Sequence, residues 1–389
     1  MSKVYSSILP MQFMGRIRRI AGSFMTNLQG WRTSRKLVVI ESDDWGSIRM
    51  PSKEIYLNIV KSNRNIGKFP FVKYDALESE SDLGYLFEVL SSVKDAKGNF
   101  AKMTTNFVVS NPDFELIEKN EFQNYFHEPL FETYKKYPEH SECINLIREG
   151  IRTNLIKPQF HGREHLNVNR WMNALQRNVP EVRFAFSNRL FDLSESYTIT
   201  GNSFMDALNW ITENEIAEQA AYLTDGLKMF KDIFEFESDT FIAPNYIWDK
   251  RLEQYLYESG IRGFQGGRYQ LNPTGFNLND FNRIRHFTGQ RNDLGQVFLV
   301  RNVFFEPFTN NSIDWIDNAV FQVRQAYALS KPAIISTHRA NYIGFIDRKN
   351  RDTNLPLLQD LLKTVIKIWP ETEFLSSDRL CRIILDDDE

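Results

Sequence analysis

The sequence has little of what marks the specialised protein classes. It contains only 2 cysteines in 389 residues, Cys143 and Cys381, far apart and in no Cys-x-x-Cys pattern. This scarcity excludes a disulfide scaffold and a zinc finger, and fits two buried or free thiols. No apolar run approaches the roughly 18 residues that a membrane-spanning helix requires. No internal repeat and no Pro-, Gly- or Ser-rich linker marks a domain boundary.

The charge balance lacks an excess of either sign. Lys and Arg number 47 and Asp and Glu 50, which gives a net charge of −3, and 42% of the residues are hydrophobic. These values are typical of a globular protein with a large core. A dedicated nucleic-acid-binding protein normally carries a basic excess, so we predict no nucleic-acid partner. Aromatic residues are the abundant class, at 14%, and we expect most of them to fill the core.

Acidic residues are absent from residues 1–40, which include several Lys and Arg residues. Apolar residues between Phe13 and Leu28 recur at steps of three and four, a spacing that predicts an amphipathic helix with a basic opposite face. The stripe lacks the uninterrupted apolar core of a signal peptide, so we expect a cytoplasmic protein. Two interpretations of residues 11–28 stay open: a helix that rests on an anionic membrane surface, or one packed across the end of the main domain.

Beyond Lys36, short apolar runs alternate with helical patterns. Strands are predicted over residues 37–40, 103–109, 158–160, 240–243, 261–264, 297–305, 333–336 and 373–375. Strands separated by helices imply parallel pairing with crossover connections, and therefore an α/β fold. We predict a basic N-terminal extension over 1–36 and a single domain over 37–389, with insertions at about 112–155 and 190–235.

Four polar clusters directly follow four of the predicted strands. They are Asp43-Asp44-Trp45-Gly46, His161-Gly162-Arg163-Glu164-His165, Pro244-Asn245-Tyr246 and Thr337-His338-Arg339. In α/β barrels and open α/β sheets the active site gathers at the carboxyl ends of the strands. We therefore expect the four clusters to converge.

The residue types in these clusters indicate metal-assisted hydrolysis. His161 and His165, four positions apart, would project from one face of a helical turn and reach one ion together. Asp43 or Asp44 would complete a set of two histidines and one carboxylate, with positions left open for water or substrate. Because side chains alternate along a strand, one carboxylate binds the metal and its neighbour acts as a base on water. His338 is a candidate general acid.

The order of these segments resembles the polysaccharide deacetylases, the NodB-homology enzymes of carbohydrate esterase family four. The resemblance spans roughly residues 37–340, and identity is confined to the four clusters. It implies a distorted (β/α) barrel, an acetylated sugar or polysaccharide precursor as the substrate, and a divalent metal, usually zinc. The roles that it implies are a general base at Asp43, metal ligands at Asp44, His161 and His165, a general acid at His338 and an oxyanion donor at the backbone N–H of Asn245.

The chain departs from the family pattern in its first and third motifs. The family's Thr-Phe-Asp-Asp-Gly is replaced by Glu41-Ser42-Asp43-Asp44-Trp45. In the third motif, Ile242 stands where the family places an arginine that orients the base. Three arginines are unranked candidates for that missing role: Arg163, Arg268 and Arg339.

Three functions stay open at this point. The first is a deacetylase in cell-surface glycan biosynthesis that acts on an acetylated sugar. The second is a non-catalytic glycan-binding relative, in which aromatic residues such as Trp45 and Tyr246 stack on sugar rings. The third is another metallohydrolase, amidase-like, on a small substrate. Retention of both Asp43 and His338 favours catalysis, because binding alone needs neither.

Overall fold

A computed structural model describes residues 22, 24–62, 69–193 and 203–387. Most of the helix predicted over 11–28 lies outside these residues, so that prediction stays untested. No helix in the described part of the chain combines the length and the apolarity needed to cross a bilayer.

The described residues form strands and helices in alternation. The strands are β1 (Lys36–Trp45), β2 (Met103–Phe107), β3 (Ser110–Pro112), β4 (His127–Pro129), β5 (Ile156–Phe160), β6 (Thr240–Ile242), β7 (Gly263–Gly266), β8 (Tyr269–Pro273), β9 (Phe281–Arg285), β10 (Val297–Val300), β11 (Val303–Phe304), β12 (Ala333–His338) and β13 (Thr372–Leu375). The helices are α1 (Lys53–Lys61), α2 (Pro70–Tyr74), α3 (Glu80–Ser91), α4 (Phe114–Lys119), α5 (Leu130–Lys136), α6 (Cys143–Arg152), α7 (Val168–Gln176), α8 (Pro180–Ser187), α9 (Asn214–Phe234), α10 (Leu252–Glu258), α11 (Trp315–Ala328), α12 (Arg348–Ile368) and α13 (Ser377–Asp386).

One parallel sheet organises the molecule. Its strand order is β10-β7-β6-β5-β2-β1-β12-β11, and β13 pairs in parallel with the start of β1. In parallel register, Asp43 of β1 lies opposite His338 of β12, and Phe107 of β2 lies opposite Phe160 of β5. All carboxyl ends therefore lie at the same edge, where the site clusters were expected to meet. The predicted α/β fold with a barrel-like parallel sheet is confirmed.

A single stretch of chain touches both ends of this strand order. β10 pairs with β7, and β11, which follows β10 after two intervening residues, pairs with β12. Between them, the N–H of Arg301 donates to Gly266 of β7 (2.9 Å) and the N–H of Asn302 donates to Ile334 of β12 (3.1 Å). The sheet is thereby curved into an incomplete barrel that closes only through this stretch. The prediction of one strand over 297–305 misses the break that allows the switch of partners.

The barrel interior is layered. At the amino ends of the strands, α13 packs its apolar side against inward-facing residues of the sheet, in a cluster of Leu37, Val39, Val297, Leu299, Ile334, Leu380, Cys381 and Ile384. Above this cluster lies a buried polar layer, in which Gln265 donates to Thr240 (2.8 Å) and accepts from Asn106 (2.9 Å). Because these three side chains are joined by hydrogen bonds, the cost of burying them is reduced. The layer forms the base on which the site rests.

Two hairpins and the helices α2, α8 and α13 were not predicted from the sequence. The hairpins β3–β4 and β8–β9 are antiparallel pairs outside the main sheet. α13 was also missed, although Ser376 precedes it as the N-cap residue. α12 begins at Arg348, where the Asp347 side chain accepts the N–H of Lys349, and it accommodates Pro356 in its interior.

Candidate metal centre

Asp44, His161 and His165 lie together at the carboxyl edge of the sheet. Their ligand atoms all lie within 4.8 Å of one another, and all three residues are buried. The Nε2 atoms of His161 and His165 each lie 3.4 Å from Asp44 Oδ1. This is the set of two histidines and one carboxylate that the spacing predicted, and in the described residues it is the cluster with metal-ligand geometry.

Local backbone turns, rather than a helix, bring these side chains together. His161 and His165 lie on a loop, so the prediction that they project from a helical turn is wrong. Gly162, at φ +106°, reverses the chain directly after His161 and lets His165 return to the same point. On β1, Asp44 adopts φ +73°, and the pairing with β2 shifts register between Ser42 and Trp45. This bulge removes the normal alternation, so that Asp43 and Asp44 both border one pocket.

The donor set fits a divalent cation such as zinc. The Nδ1–H of His161 donates to the backbone carbonyl of Ile242 (2.9 Å), which orients the ring and leaves Nε2 as the ligand atom. Burial lowers the pKa of His165 to about 3, so this imidazole is neutral, as metal ligation requires. Burial raises the pKa of Asp44, but its contact with His161 and the positive charges of His338 and Arg49 lower it well below its usual value.

Asp43 is fixed by an arginine that the sequence analysis did not identify. Arg301 donates from Nη1 to Asp43 Oδ2 (2.6 Å) and from Nη2 to Oδ1 (2.7 Å), while its Nε donates to Glu41 (2.6 Å). Asn106 adds a further hydrogen bond to Asp43 Oδ1 (2.8 Å). Burial raises the pKa of Asp43, but the charge and hydrogen bonds of Arg301 outweigh burial and lower it. Asp43 is therefore a carboxylate held in one orientation.

The three arginines named as candidates serve other contacts. Arg163 pairs with Glu164 and Asp225, Arg339 pairs with Asp75 and Glu78, and Arg268 lies over the ring of Tyr269. The sequence does carry a signal for Arg301. This arginine directly follows the apolar run 297–300, so it is a polar residue at the end of a fifth strand. The prediction of one continuous strand over 297–305 places Arg301 in the middle of a strand and so hides this signal.

His338 borders the same pocket from β12. Its Nδ1–H donates to Glu306 (2.7 Å), and its Nε2 lies 3.9 Å from Asp43 Oδ2. Burial lowers the pKa of His338, but the charge of Glu306 and this hydrogen bond outweigh burial and raise it to about 10. His338 is therefore a charged imidazolium at neutral pH, with Nε2–H directed to the pocket side.

The remaining predicted site residues are divided between the pocket and the core. Asn245 and Tyr246 line the pocket, and both have left-handed backbones, with φ of 55° and 58°. The N–H of Asn245 donates to no described residue, so it is available to an acceptor in the pocket. Trp45 is buried, donates to Ser42 Oγ (2.9 Å) and packs against Phe107. Trp45 does not border the pocket, so it is not in position to stack on a sugar ring bound there.

The pocket above these residues has a volume of about 400 Å³. Its floor consists of Asp43, Asp44, His161, His165 and His338, and Asn245 and Tyr246 border it on one side. This volume falls in the range of sites for small molecules or for one unit of a larger substrate. Five of the eight residues proposed from the sequence thus lie on one floor, and two more lie beside it.

Comparisons with known proteins return structural likenesses alone. No family model matches the sequence, and no curated protein matches it. Among solved structures, the chain is similar to a protein described as a polysaccharide deacetylase from Mycobacterium smegmatis, with 10% identity, 92% of this chain and 94% of that one covered, and a TM-score of 0.44. It is also similar to the Puue allantoinase, with 10% identity, 90% and 91% covered, and a TM-score of 0.45. A 4-α-glucanotransferase from Thermococcus litoralis shows 8% identity and a TM-score of 0.42, with 90% of this chain but 40% of that chain covered. Since none of the three exceeds 10% identity, we argue function from the geometry of the site itself.

Proposed function

We propose that this protein is a metal-dependent hydrolase that removes an acetyl group from an acetylated sugar or polysaccharide precursor. The proposal rests on one observation: a single pocket floor holds a metal-ligand set, a carboxylate fixed by an arginine, and a histidine paired with a glutamate. The sugar as substrate comes from the motif resemblance.

The metal would be held by Asp44 and the Nε2 atoms of His161 and His165. A divalent ion, most simply zinc, supplies Lewis acidity that lowers the pKa of water and polarises an acyl carbonyl. Neutral imidazoles and a carboxylate are ligands that zinc accepts.

The other pocket residues divide the proton transfers between them. Asp43 is ionised and immobilised by Arg301, so it is placed to accept the proton of the attacking water at a carboxylate oxygen. His338 is protonated and donates from Nε2 to the departing amine or hydroxyl. The free N–H of Asn245 donates to the carbonyl oxygen as negative charge develops there. The proton acceptor and the proton donor therefore lie beside one another on the pocket floor, with Asp43 Oδ2 3.9 Å from His338 Nε2.

A non-catalytic glycan-binding protein is less well supported by these contacts. Binding requires neither a fixed carboxylate nor a charged histidine, yet both are maintained by close partners, the buried Arg301 and the partly buried Glu306. An amidase-like hydrolase on a small substrate uses the same groups, and the substrate panel below distinguishes it.

The test compares wild-type protein with Asp43→Asn and with Asp293→Asn, whose side chain is 87% exposed and serves as the matched control. Bound metal is measured by elemental analysis, and acetate release is measured from N-acetylated and O-acetylated sugars and from N-acetylated amino acids. We expect wild type and Asp293→Asn to bind metal and release acetate, and Asp43→Asn to bind metal without releasing acetate.

The other possible outcomes would support a different function or a different base. Acetate release from amino-acid derivatives alone would support the amidase-like enzyme. Metal binding and sugar binding without release by wild type would support the glycan-binding protein. Acetate release by Asp43→Asn at the wild-type rate would remove Asp43 from the proposed chemistry.

We further propose that residues 11–28 contact an anionic membrane at its cytoplasmic face, on the basis of their basic residues and apolar spacing. At the described end of this stretch, Phe24, Met25 and Leu28 expose 43%, 38% and 40% of their surface. Deletion of residues 1–25 spares Asn27, which is buried and accepts a hydrogen bond from Asn302 (2.7 Å). We expect the full chain to float with phosphatidylserine vesicles and the deleted chain to remain behind; equal flotation of both would refute membrane contact here.

A further inference from the structure

Above its polar floor the proposed active-site pocket is largely apolar. Its side walls consist mainly of Phe69, Phe71, Val72, Leu190, Leu193 and Met205. Walls of this kind exclude water, so an isolated charge among them interacts strongly with any ligand of opposite sign.

Arg49 is the cation in these walls. Its side chain is 15% exposed and its guanidinium lies 5.9 Å from the ring centre of Phe71. It donates no hydrogen bond to any residue in the described part of the chain. The carboxylate beside it is that of Asp75, whose Oδ2 lies 3.9 Å from Arg49 Nε, beyond hydrogen-bonding distance.

The hydrogen bonds of Asp75 come from a different arginine, and Arg49 contributes a positive charge at 3.9 Å. Asp75 Oδ1 accepts from Nε (3.1 Å) and Nη2 (2.9 Å) of Arg339, which is fully buried. The wall also carries a carboxylate, Asp192, which accepts a hydrogen bond from Ser203. Among the described residues, the donors of Arg49 therefore have no hydrogen-bond acceptor, and its side chain borders the pocket next to the metal-ligand set.

We propose that Arg49 binds an anionic group of the substrate, so that the enzyme acts on acylated molecules carrying a carboxylate or a phosphate. This inference rests on the proposed hydrolase function and narrows its substrate class. The planar guanidinium presents paired N–H donors that match both groups, and such charge-assisted hydrogen bonds are among the strongest in proteins. With the acyl group at the floor and the anion at Arg49, the apolar walls would enclose the body of the substrate.

The experiment measures binding without turnover, by calorimetry on zinc-loaded Asp43→Asn protein. The ligands of each pair differ in one anionic group: N-acetylglucosamine against its 6-phosphate, and N-acetylphenylalanine amide against N-acetylphenylalanine. Because both members of a pair present the same acetyl group to the floor, the ratio of their affinities reports on the anion. The phosphate pair and the carboxylate pair separate the two sources of charge.

The variants are Arg49→Gln, Arg49→Lys, and Arg177→Gln as a control at an exposed arginine that lines a different cavity. We expect the charged member of at least one pair to bind about 10- to 100-fold more tightly, as charge-assisted hydrogen bonds allow. Arg49→Gln should abolish this advantage, Arg49→Lys should keep part of it, and Arg177→Gln should keep all of it. In the catalytically competent background, Arg49→Gln should raise KM for the charged substrate with little change in kcat.

Equal affinity of charged and neutral ligands for the parent protein would overturn the inference while leaving the proposed hydrolase intact. A charge advantage that survives Arg49→Gln would assign the anion to another residue and overturn it as well. If zinc binds but none of the four ligands does, the proposed acetyl substrate itself fails, and the inference that rests on it fails too. Thermal unfolding and zinc content of each variant, measured alongside, show that the comparisons are made on folded protein.

Discussion

Arg301 carries one positive charge between two buried carboxylates, Glu41 and Asp43. It is fully buried, and its three contacts to them measure 2.6, 2.6 and 2.7 Å. Glu41 stands where the resembled family has a threonine, and Arg301 takes the place of the arginine missing at Ile242. Glu41, one departure from that pattern, is therefore in direct contact with the arginine that holds Asp43.

Removal of the Arg301 charge is predicted to destabilise the fold. Arg301→Gln leaves two uncompensated carboxylates in the interior, and breaking a buried pair in this way costs about 3–5 kcal/mol. The measurement is the free energy of unfolding in urea. Arg152→Gln is the control, because its pair with Glu149 is exposed and contributes little. The double variant Glu41→Gln/Arg301→Gln should lose less than Arg301→Gln alone; a larger loss would contradict the proposed charge balance.

Glu306 is predicted to set the protonation of His338. Their contact raises the pKa of His338 to about 10, against roughly 6.5 for an unfolded histidine. Since the folded-state pKa is the higher one, the pair stabilises the fold fully below about pH 6.5 and loses that contribution as the pH rises through about 10. In Glu306→Gln, the pKa of His338 should fall and the stability gained at neutral pH should largely disappear.

The measurement is an NMR titration of the histidine ring protons in chelator-treated protein, with urea unfolding at pH 6 and pH 10. His286 is an internal control, because burial lowers its pKa to about 4 and it contacts Gln270 and Gln290 rather than Glu306. A His338 that titrates near 6.5 in the wild type would contradict the role of Glu306.

At the scale of elements, the site depends on two departures from regular structure. The bulge in β1 puts Asp44 at φ +73°, and the loop after β5 puts Gly162 at φ +106°. Asp44 itself belongs to the pocket floor, and Gly162 directly follows His161, which also belongs to it. Backbone irregularities of this kind cost energy and persist where the surrounding structure enforces them.

Gly162→Ala is predicted to weaken metal binding. At φ +106° a Cβ is strained, and the added atom would lie 3.3 Å from the carbonyl oxygen of Glu164. We expect a loss of about 1–3 kcal/mol in the free energy of unfolding and a weaker affinity for zinc, since His161 and His165 flank the turn. The control is Gly98→Ala, at φ +81° in a surface turn with open space around it. It should also destabilise the fold but leave zinc affinity unchanged; equal zinc affinity in Gly162→Ala would show that the loop tolerates the change.

At the scale of the whole molecule, the metal ligands come from distant parts of the chain. Asp44 and His161 are 117 residues apart, and Arg301 and Asp43 are 258 apart. Such contacts form only when the sheet has curved and the stretch 297–304 has joined its two edges. The site is therefore a product of the complete fold, and no single insertion contains it.

Zinc is predicted to stabilise the protein against unfolding. Because the unfolded chain does not assemble the three ligands, zinc at 100 times its Kd adds about 2.7 kcal/mol to the free energy of unfolding. The measurement is urea unfolding with and without zinc, after chelator treatment. His165→Ala should remove the effect, and His127→Ala, whose ring lies outside the cluster, should retain it. An unchanged zinc effect in His165→Ala would place the ion elsewhere.

The sequence by itself determined the alternation of strands and helices and the residues that follow each strand. Hydrophobic periodicity and strand-end polarity are local patterns, so Asp43, Asp44, His161, His165 and His338 were recognisable before any contact was known. The tertiary structure alone decided which partners these residues have. Arg301 and Glu306 contact Asp43 and His338, and Arg49 borders the pocket, because the sheet closes and α2 packs over its edge. The sequence distance between such partners carries no periodic signal. The backbone torsions at Asp44 and Gly162 were likewise decided by packing, since the amino-acid sequence does not show where a strand bulges.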